Sequence, residues 1–201
     1  MLTVGLTGPS GAGKGVIASL FAARGVPSVD TDKVYHDLLI PPSACLDELV
    51  SRFGREILSP DGRLNRGALA AIVFAEGRER ELADLNAIAH RHILAKSREI
   101  LADYEAKGFP AVLVDAPQLF ESGFDAECGV ILAVLAPYDL RLARVMARDG
   151  LSEERATARL NASHTDEFFR QRSHAVLIND GEIRPLEAAV ERLLAEWGVR
   201  V

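Results

Sequence analysis

Seven residues near the start of the chain, Gly8-Pro9-Ser10-Gly11-Ala12-Gly13-Lys14, follow the pattern G-x-x-x-x-G-K. Holding a phosphate takes backbone N–H groups turned inward, and glycines let the chain curl closely around the anion. It also takes a helix N-terminus behind the anion and a lysine that reaches the outer phosphates. The pattern predicts that Gly8, Ser10, Gly11, Ala12, Gly13, Lys14, Gly15 and Val16 cradle a nucleoside triphosphate, ATP. The plainer alternative is a Gly-rich turn that happens to carry a lysine. Ser or Thr ordinarily follows this lysine and donates a hydroxyl to Mg²⁺. Here Gly15 and Val16 follow it. Magnesium then has to be held by the triphosphate, water and another side chain, for which Asp32 and Asp115, acting through water, are the candidates.

Asp30 and Asp32 close the second predicted strand. In an open parallel sheet that edge faces the ligand crevice. A carboxylate there can take the proton of an attacking hydroxyl or hold metal-bound water. The competing reading makes Asp32 the N-cap of the next helix. Arg144 and Arg148 stand four apart on one helix face, with Arg159 further on. Phosphoryl transfer spreads negative charge over the moving oxygens, and arginines closing over them offset it. A solvated face with i,i+4 ion pairs is the alternative, and Arg141, Arg155, Arg170 and Arg172 are assigned to such a surface.

These residues need a scaffold. Leu2–Thr7, 26–29, 111–114, 130–135 and 176–178 read as short, continuously apolar strands. Helical spacing predicts helices over 16–23, 44–53, 66–74, 78–105 and 138–148, a charged helical region over 152–172, and a final amphipathic helix over 185–197 with Pro185 at its first position. Ser59-Pro60-Asp61-Gly62 reads as a turn. Strands alternating with helices predict an α/β fold with a five-stranded parallel sheet covered on both faces. The helical block after strand two is too long for a simple crossover and reads as a substrate-facing insertion.

The chain has 201 residues, 48% of them hydrophobic, and a formal net charge of -6. That suits one α/β domain with an insertion and counts against a non-specific nucleic-acid binder. From Arg141 to His174 there are seven arginines, no lysine and five acids, a local net of +2 that leaves -8 elsewhere. A basic patch on an acidic chain fits a small anionic ligand. Cys45 and Cys128 form no metal spacing and read as buried thiols. With no leader-like opening and no membrane-length apolar run, a soluble cytoplasmic protein is expected, with a monomer favoured.

Several segments, in order along nearly the whole chain, resemble the dephospho-coenzyme A kinases. They are Val4-Gly5-Leu6-Thr7-Gly8 with the loop; Asp30-Thr31-Asp32; Phe53-Gly54 with Asp61-Gly62 and Arg66; Asp115-Ala116-Pro117-Gln118-Leu119-Phe120-Glu121; Arg144-Val145-Met146-Ala147-Arg148-Asp149; and Ile178-Asn179-Asp180-Gly181. The resemblance implies a three-layer α/β/α P-loop kinase that phosphorylates the ribose 3′-hydroxyl of dephospho-coenzyme A with ATP and Mg²⁺. It implies a nucleotide core (about 1–32, 108–148 and 174–201), a helical acceptor-binding insertion (about 33–107) and an arginine-bearing lid (about 149–173). By family position Asp32 is the base and Lys14 the phosphate clamp. Arg144 and Arg159 are lid or transition-state groups, and Arg148 and Asn179 belong to the ATP site, Asn179 near the adenine. His90 and the stretch Pro117, Gln118, Leu119, Phe120 and Glu121 face the acceptor.

Besides Gly15 and Val16, His90-Arg91 stands for the family's His-Pro, Gln118 for a leucine, and Ser163 for a glutamine. A nucleoside monophosphate kinase, or an ATP-binding relic with weakened catalysis, are the rival readings. Nucleic acid and membrane are not expected partners.

Overall fold

A computed structural model describes residues 1–200. Two compact units divide the chain: Met1–Val29 with Asp103–Val201, and Asp30–Ala102.

The first unit is built on five strands, β1 (Leu2–Thr7), β2 (Ser28–Asp30), β3 (Ala111–Asp115), β4 (Val130–Leu135) and β5 (Ala175–Ile178), in the order β2-β3-β1-β4-β5. The paired strands run parallel, with Leu6 opposite Asp115, Thr7 opposite Ala133 and Leu135 opposite Ile178. The chain leaves β1 toward β2 on one side and later crosses to β4 on the other. The carboxyl end of β1 therefore lies where the connections diverge, the usual place for a ligand crevice.

Helices α1 (Lys14–Ala22), α6 (Tyr138–Asp149), α7 (Glu153–Asn161), α8 (Asp166–Arg172) and α9 (Ile183–Glu196) belong to this unit. The other unit holds α2 (Thr31–Leu38), α3 (Ala44–Phe53), α4 (Arg66–Val73) and most of α5 (Glu79–Ala106).

Alternation along β4 shows why the sheet is covered twice. Leu132 and Val134 join Val4, Leu6, Ile17, Phe21, Val190 and Leu194, so α1 and α9 close one face. Ala133 and Leu135 pack with Phe169 of α8 on the other. Side chains alternate faces along a strand, so a strand buried on both sides must be apolar throughout. The three-layer α/β arrangement follows.

The helical unit has its own core of Leu39, Cys45, Leu49, Phe53, Ile57, Leu69, Val73 and Ile88. Ser43 and Asn65 start α3 and α4 by accepting from the backbone N–H of Leu46 (3.1 Å) and Ala68 (3.0 Å). The Ser59–Gly62 turn forms, closed by Gly62 N–H to the Ser59 carbonyl at 2.9 Å.

Three boundaries depart from the sequence expectation. The second strand starts later because Val26 N–H is tied back to the Phe21 carbonyl (3.1 Å) at the end of α1. The charged region 152–172 is two helices, because Thr165 starts a new one by accepting from Phe168 N–H. Pro185 is the third residue of α9, where its missing N–H still costs no intrahelical bond. Cys128 is half-buried rather than buried, and burial pushes the thiols of Cys45 and Cys128 up to about 11 and about 12. Neither is a reactive thiolate at neutral pH. No helix among the described residues is long and apolar enough to cross a membrane.

Candidate active site

The phosphate loop occupies the carboxyl end of β1. Two of its glycines are required by close approach. A Cβ on Gly8 (φ 140°) would stand 2.1 Å from the Val134 carbonyl oxygen, and one on Gly13 (φ 91°) 2.1 Å from Nδ2 of Asn179. Any side chain at either position would lift the loop off the residues that hold it, and both backbone angles already favour glycine.

A loop whose N–H groups converge must turn its carbonyls outward, and those carbonyls need donors. Arg144 of α6 and Asn179 after β5 supply them. Arg144 Nη1 donates to the carbonyls of Gly11 (3.3 Å) and Ala12 (3.4 Å), and Asn179 Nδ2 donates to Ala12 (2.9 Å). Arg144 Nη2 donates to Oδ1 of Asn179 at 3.1 Å, which fixes the amide orientation. Asn179 is 2% exposed, so its carboxamide braces the loop and is not open to a base, contrary to the placement near adenine. Lys14 Nζ donates to the Gly8 carbonyl at 2.8 Å, which lays the ammonium across the loop mouth. At Gly15 a Cβ would meet nothing within 4 Å. Val16 is 40% exposed, so the missing hydroxyl is not replaced from either position.

Arg148 and Arg159 converge on one carboxylate. Nε and Nη2 of Arg148 donate to the two oxygens of Asp149 at 2.8 Å each, and Nη1 of Arg159 donates to Oδ2 at 2.8 Å. Asp149 is the last residue of α6, where the helix dipole disfavours an anion. The Arg148 guanidinium beside it, with Arg159, holds its carboxyl below the usual carboxylate range. Arg159 thus belongs to a separate helix tied to α6, and the acid that ties it is a residue sequence reasoning passed over. An acid at a helix C-terminus is the signal that could have found it.

Arg141, assigned to the surface from sequence, is buried: its backbone crowds Gly11 and its side chain pairs with Asp166 at 3.5 Å. Its spacing from Arg144 and Arg148 on one helix face was the available clue.

Within the segment after β3, Pro117 and Gln118 are exposed. Leu119 is fully buried and is part of the core, which corrects its assignment to an acceptor pocket. Phe120 and Glu121 meet the stretch after α7. Glu121 Oε1 lies 2.9 Å from Nε2 of His164, Phe120 packs edge-on against Phe168 at 5.3 Å, and Arg172 lies over the Phe168 ring at 4.6 Å. Sequence reasoning singled out none of His164, Phe168 and Arg172 as partners of this segment. Thr7, fully buried at the end of β1, has a hydroxyl without a hydrogen-bond partner. Asp115 ends β3 beside it in the sheet.

In the helical unit Asp30, which ends β2, caps α2 by accepting from Lys33 N–H at 2.9 Å. The cap is therefore Asp30, and Asp32 sits exposed in the first turn of α2. His90 is half-buried on α5; its neighbours Arg91 and His92 both bind Glu48 of α3.

A family model described as dephospho-CoA kinase matches residues 2–185. The dephospho-CoA kinase of Corynebacterium efficiens is 36% identical over 201 residues, covering 100% of both chains. A solved structure from Thermus thermophilus superposes with a TM-score of 0.80 at 34% identity, over 97% of each chain. The dephospho-CoA kinase from Campylobacter jejuni does so with a TM-score of 0.70 at 25% identity, over 97% of this chain and 96% of that one.

Proposed function

This chain belongs to the dephospho-CoA kinase family, and on that premise we propose how it transfers a phosphoryl group from ATP to the ribose 3′-hydroxyl of dephospho-coenzyme A, yielding coenzyme A and ADP. The observation that carries the reading is the braced loop: Arg144 and Asn179 take the carbonyls of Gly11 and Ala12, which holds the curl that a triphosphate needs.

Lys14 leaves the Gly8 carbonyl for the outer phosphates and stabilises charge that grows on the transferred group. Asp32 accepts the proton of the ribose 3′-hydroxyl as its oxygen attacks the γ-phosphorus; the bond from that phosphorus to the β-bridging oxygen breaks and ADP departs. Arg159, tied with Arg148 to Asp149, closes on the transferred oxygens, and Arg148 stays with the ATP phosphates; Arg144, expected beside Arg159 as a transition-state group, is held on the loop carbonyls instead. Pro117, Gln118, Phe120, Glu121 and His90 are assigned to the acceptor, with 33–107 as the acceptor-binding insertion and 149–173 as the lid.

Magnesium fits the oxygens available. The unpartnered Thr7 hydroxyl and the Asp115 carboxylate are hard donors at neighbouring strand ends, with Asp32 as a further carboxylate. Among the described residues no group of three His, Cys, Asp or Glu side chains could hold an ion alone, so most ligands would come from the triphosphate and water. When bound, the ion would offset the negative charge of the triphosphate. We place the enzyme in the cytoplasm, acting as a monomer.

A coupled ADP assay offering ATP with dephospho-coenzyme A, AMP, CMP and shikimate in separate wells tests the reading. ADP release with dephospho-coenzyme A alone supports it; preference for CMP or AMP would make the chain a nucleoside monophosphate kinase.

A further inference from the structure

Helix α7 carries Arg159 and is held along one side by α6, through Val145 against Ala156 and Leu160 and through Asp149 on Arg159. At its far end four residues, 162–165, lead from α7 to α8. Ala162 and Ser163 still belong to the end of α7: their N–H groups donate to the carbonyls of Ala158 and Leu160 at 3.1 Å each. Thr165 already belongs to α8, which it caps by accepting from Phe168 N–H at 3.3 Å. His164 stands between the two. Helix α8 is seated on the sheet, with Phe169 packed on Ala133 and Leu135 of β4, and Asp166 in its first turn lies 3.5 Å from the buried Arg141 guanidinium.

The His164 ring is held in one orientation. It stacks on Phe168 with ring centres 3.7 Å apart and planes 12° from parallel, and Phe168 stands edge-on to Phe120 at 5.3 Å. A carboxylate only accepts, so Nε2 of His164 carries the proton and donates to Oε1 of Glu121 at 2.9 Å. The two side chains are 43% and 42% exposed, and a pair so open to water adds little stability. What it supplies is geometry. The stacked ring has little rotamer freedom left to lose, and the bond joins the end of α7 to the segment 117–121. Arg159 lies one turn before Ser163. We propose that His164 is a positioning residue: bonded to Glu121, it anchors the C-terminal end of α7 to the segment after β3 and so places Arg159 over the phosphoryl group that the acceptor receives. The inference rests on the role given to Arg159 above.

The test uses the full chain. His164→Ala should lower kcat about tenfold, as slight misplacement of a group over the reacting atoms does. The KM for ATP and for dephospho-coenzyme A should each change by less than about twofold, and the thermal midpoint by less than about 2 °C. His164→Gln puts an amide N–H near the place of Nε2 and should win back about threefold of the lost rate. The stacked ring is absent from both variants, so no recovery would make ring packing the cause and overturn the role of the bond. At saturating acceptor, Glu121→Ala and the double variant should have the kcat of His164→Ala, since all three break one link. Losses that multiply would overturn the proposal, as would a wild-type kcat in His164→Ala or a Glu121→Ala whose one defect is a raised acceptor KM. Hydrogen exchange over Glu153–Asn161 needs no acceptor: with ATP bound, α7 should exchange faster in His164→Ala than in the wild type. A wild type that phosphorylates no dephospho-coenzyme A sinks the acceptor reading instead, and the exchange rates then decide the anchor, equal rates counting against it.

Discussion

Gly15 and Asp32 each pose a question that a single substitution answers. Apart from its chain neighbours and the backbone of its own helix, nothing would lie within 4 Å of a Cβ at Gly15, so Gly15→Ser fits without moving the loop. It should also favour α1 by about half a kcal/mol, since serine is the better helix former. Any change in rate then reports on the metal. We expect the variant to lose activity and to need more Mg²⁺ for half-maximal rate, because the hydroxyl takes the place of a water in an octahedral shell that tolerates little distortion. A magnesium titration at fixed ATP checks this; a lower requirement with an equal or higher kcat would mark Gly15 as a defect. Asp32→Asn preserves shape and removes the base. Its kcat should fall about 10²–10⁴-fold while the KM for ATP moves little. An unchanged kcat would leave Asp32 as an ordinary first-turn acid favourable to the α2 dipole.

Among the elements, α6 carries more than its sequence pattern suggests. Its middle braces the phosphate loop through Arg144, and its last residue, Asp149, ties α7. If Asp149 presents Arg148 and Arg159 as a pair, Asp149→Asn should lower kcat by about tenfold. Dephospho-coenzyme A affinity measured by calorimetry should barely change. Arg159→Ala should do the same, and the double variant should be little worse than either single one, since both break one link. Additive losses would mean that the two act separately. The pH dependence has a definite sign. The folded carboxyl of Asp149 is held below its usual value, so the link is present above the ordinary carboxylate range and is lost only as pH falls through the depressed value. Loss of activity from neutral pH down to about pH 5 therefore has to come from another group.

At the scale of the whole molecule, ligand and stability are linked by mass action. ATP at about a hundred times its Kd adds about 2.7 kcal/mol to the state that binds it. For a chain of this size that is a rise of about 5–10 °C in the thermal midpoint. Lys14→Ala removes a half-buried side chain whose ammonium donates to the Gly8 carbonyl; turnover and most of the ATP-induced rise should disappear, while the unliganded midpoint shifts by less than that rise. A variant that keeps the full rise and turns over within about threefold of the wild type, under 1 kcal/mol of barrier, would take the phosphates away from Lys14.

What the sequence determined by itself was local in origin. The loop is seven contiguous residues, β4 and β5 are uninterrupted apolar runs and β1 and β3 nearly so, and α3 (Ala44–Phe53) and β4 (Val130–Leu135) are bounded by neighbouring caps, glycines and prolines, so short windows contain the information. Family resemblance rested on the same contiguous stretches. The roles that only the tertiary structure decided depend on residues distant in the chain. Asn179 meets Ala12 across 167 positions, Glu121 meets His164 across 43, and Leu119 is buried by packing against β1. Arg141 shows the same limit: its type and spacing are those of Arg144, but where α6 lies against the loop determines that one arginine is buried beside Gly11 and the other reaches the loop carbonyls. Side-chain burial and hydrogen-bond partners are set by how elements pack, and packing joins residues with no periodic relation in the sequence.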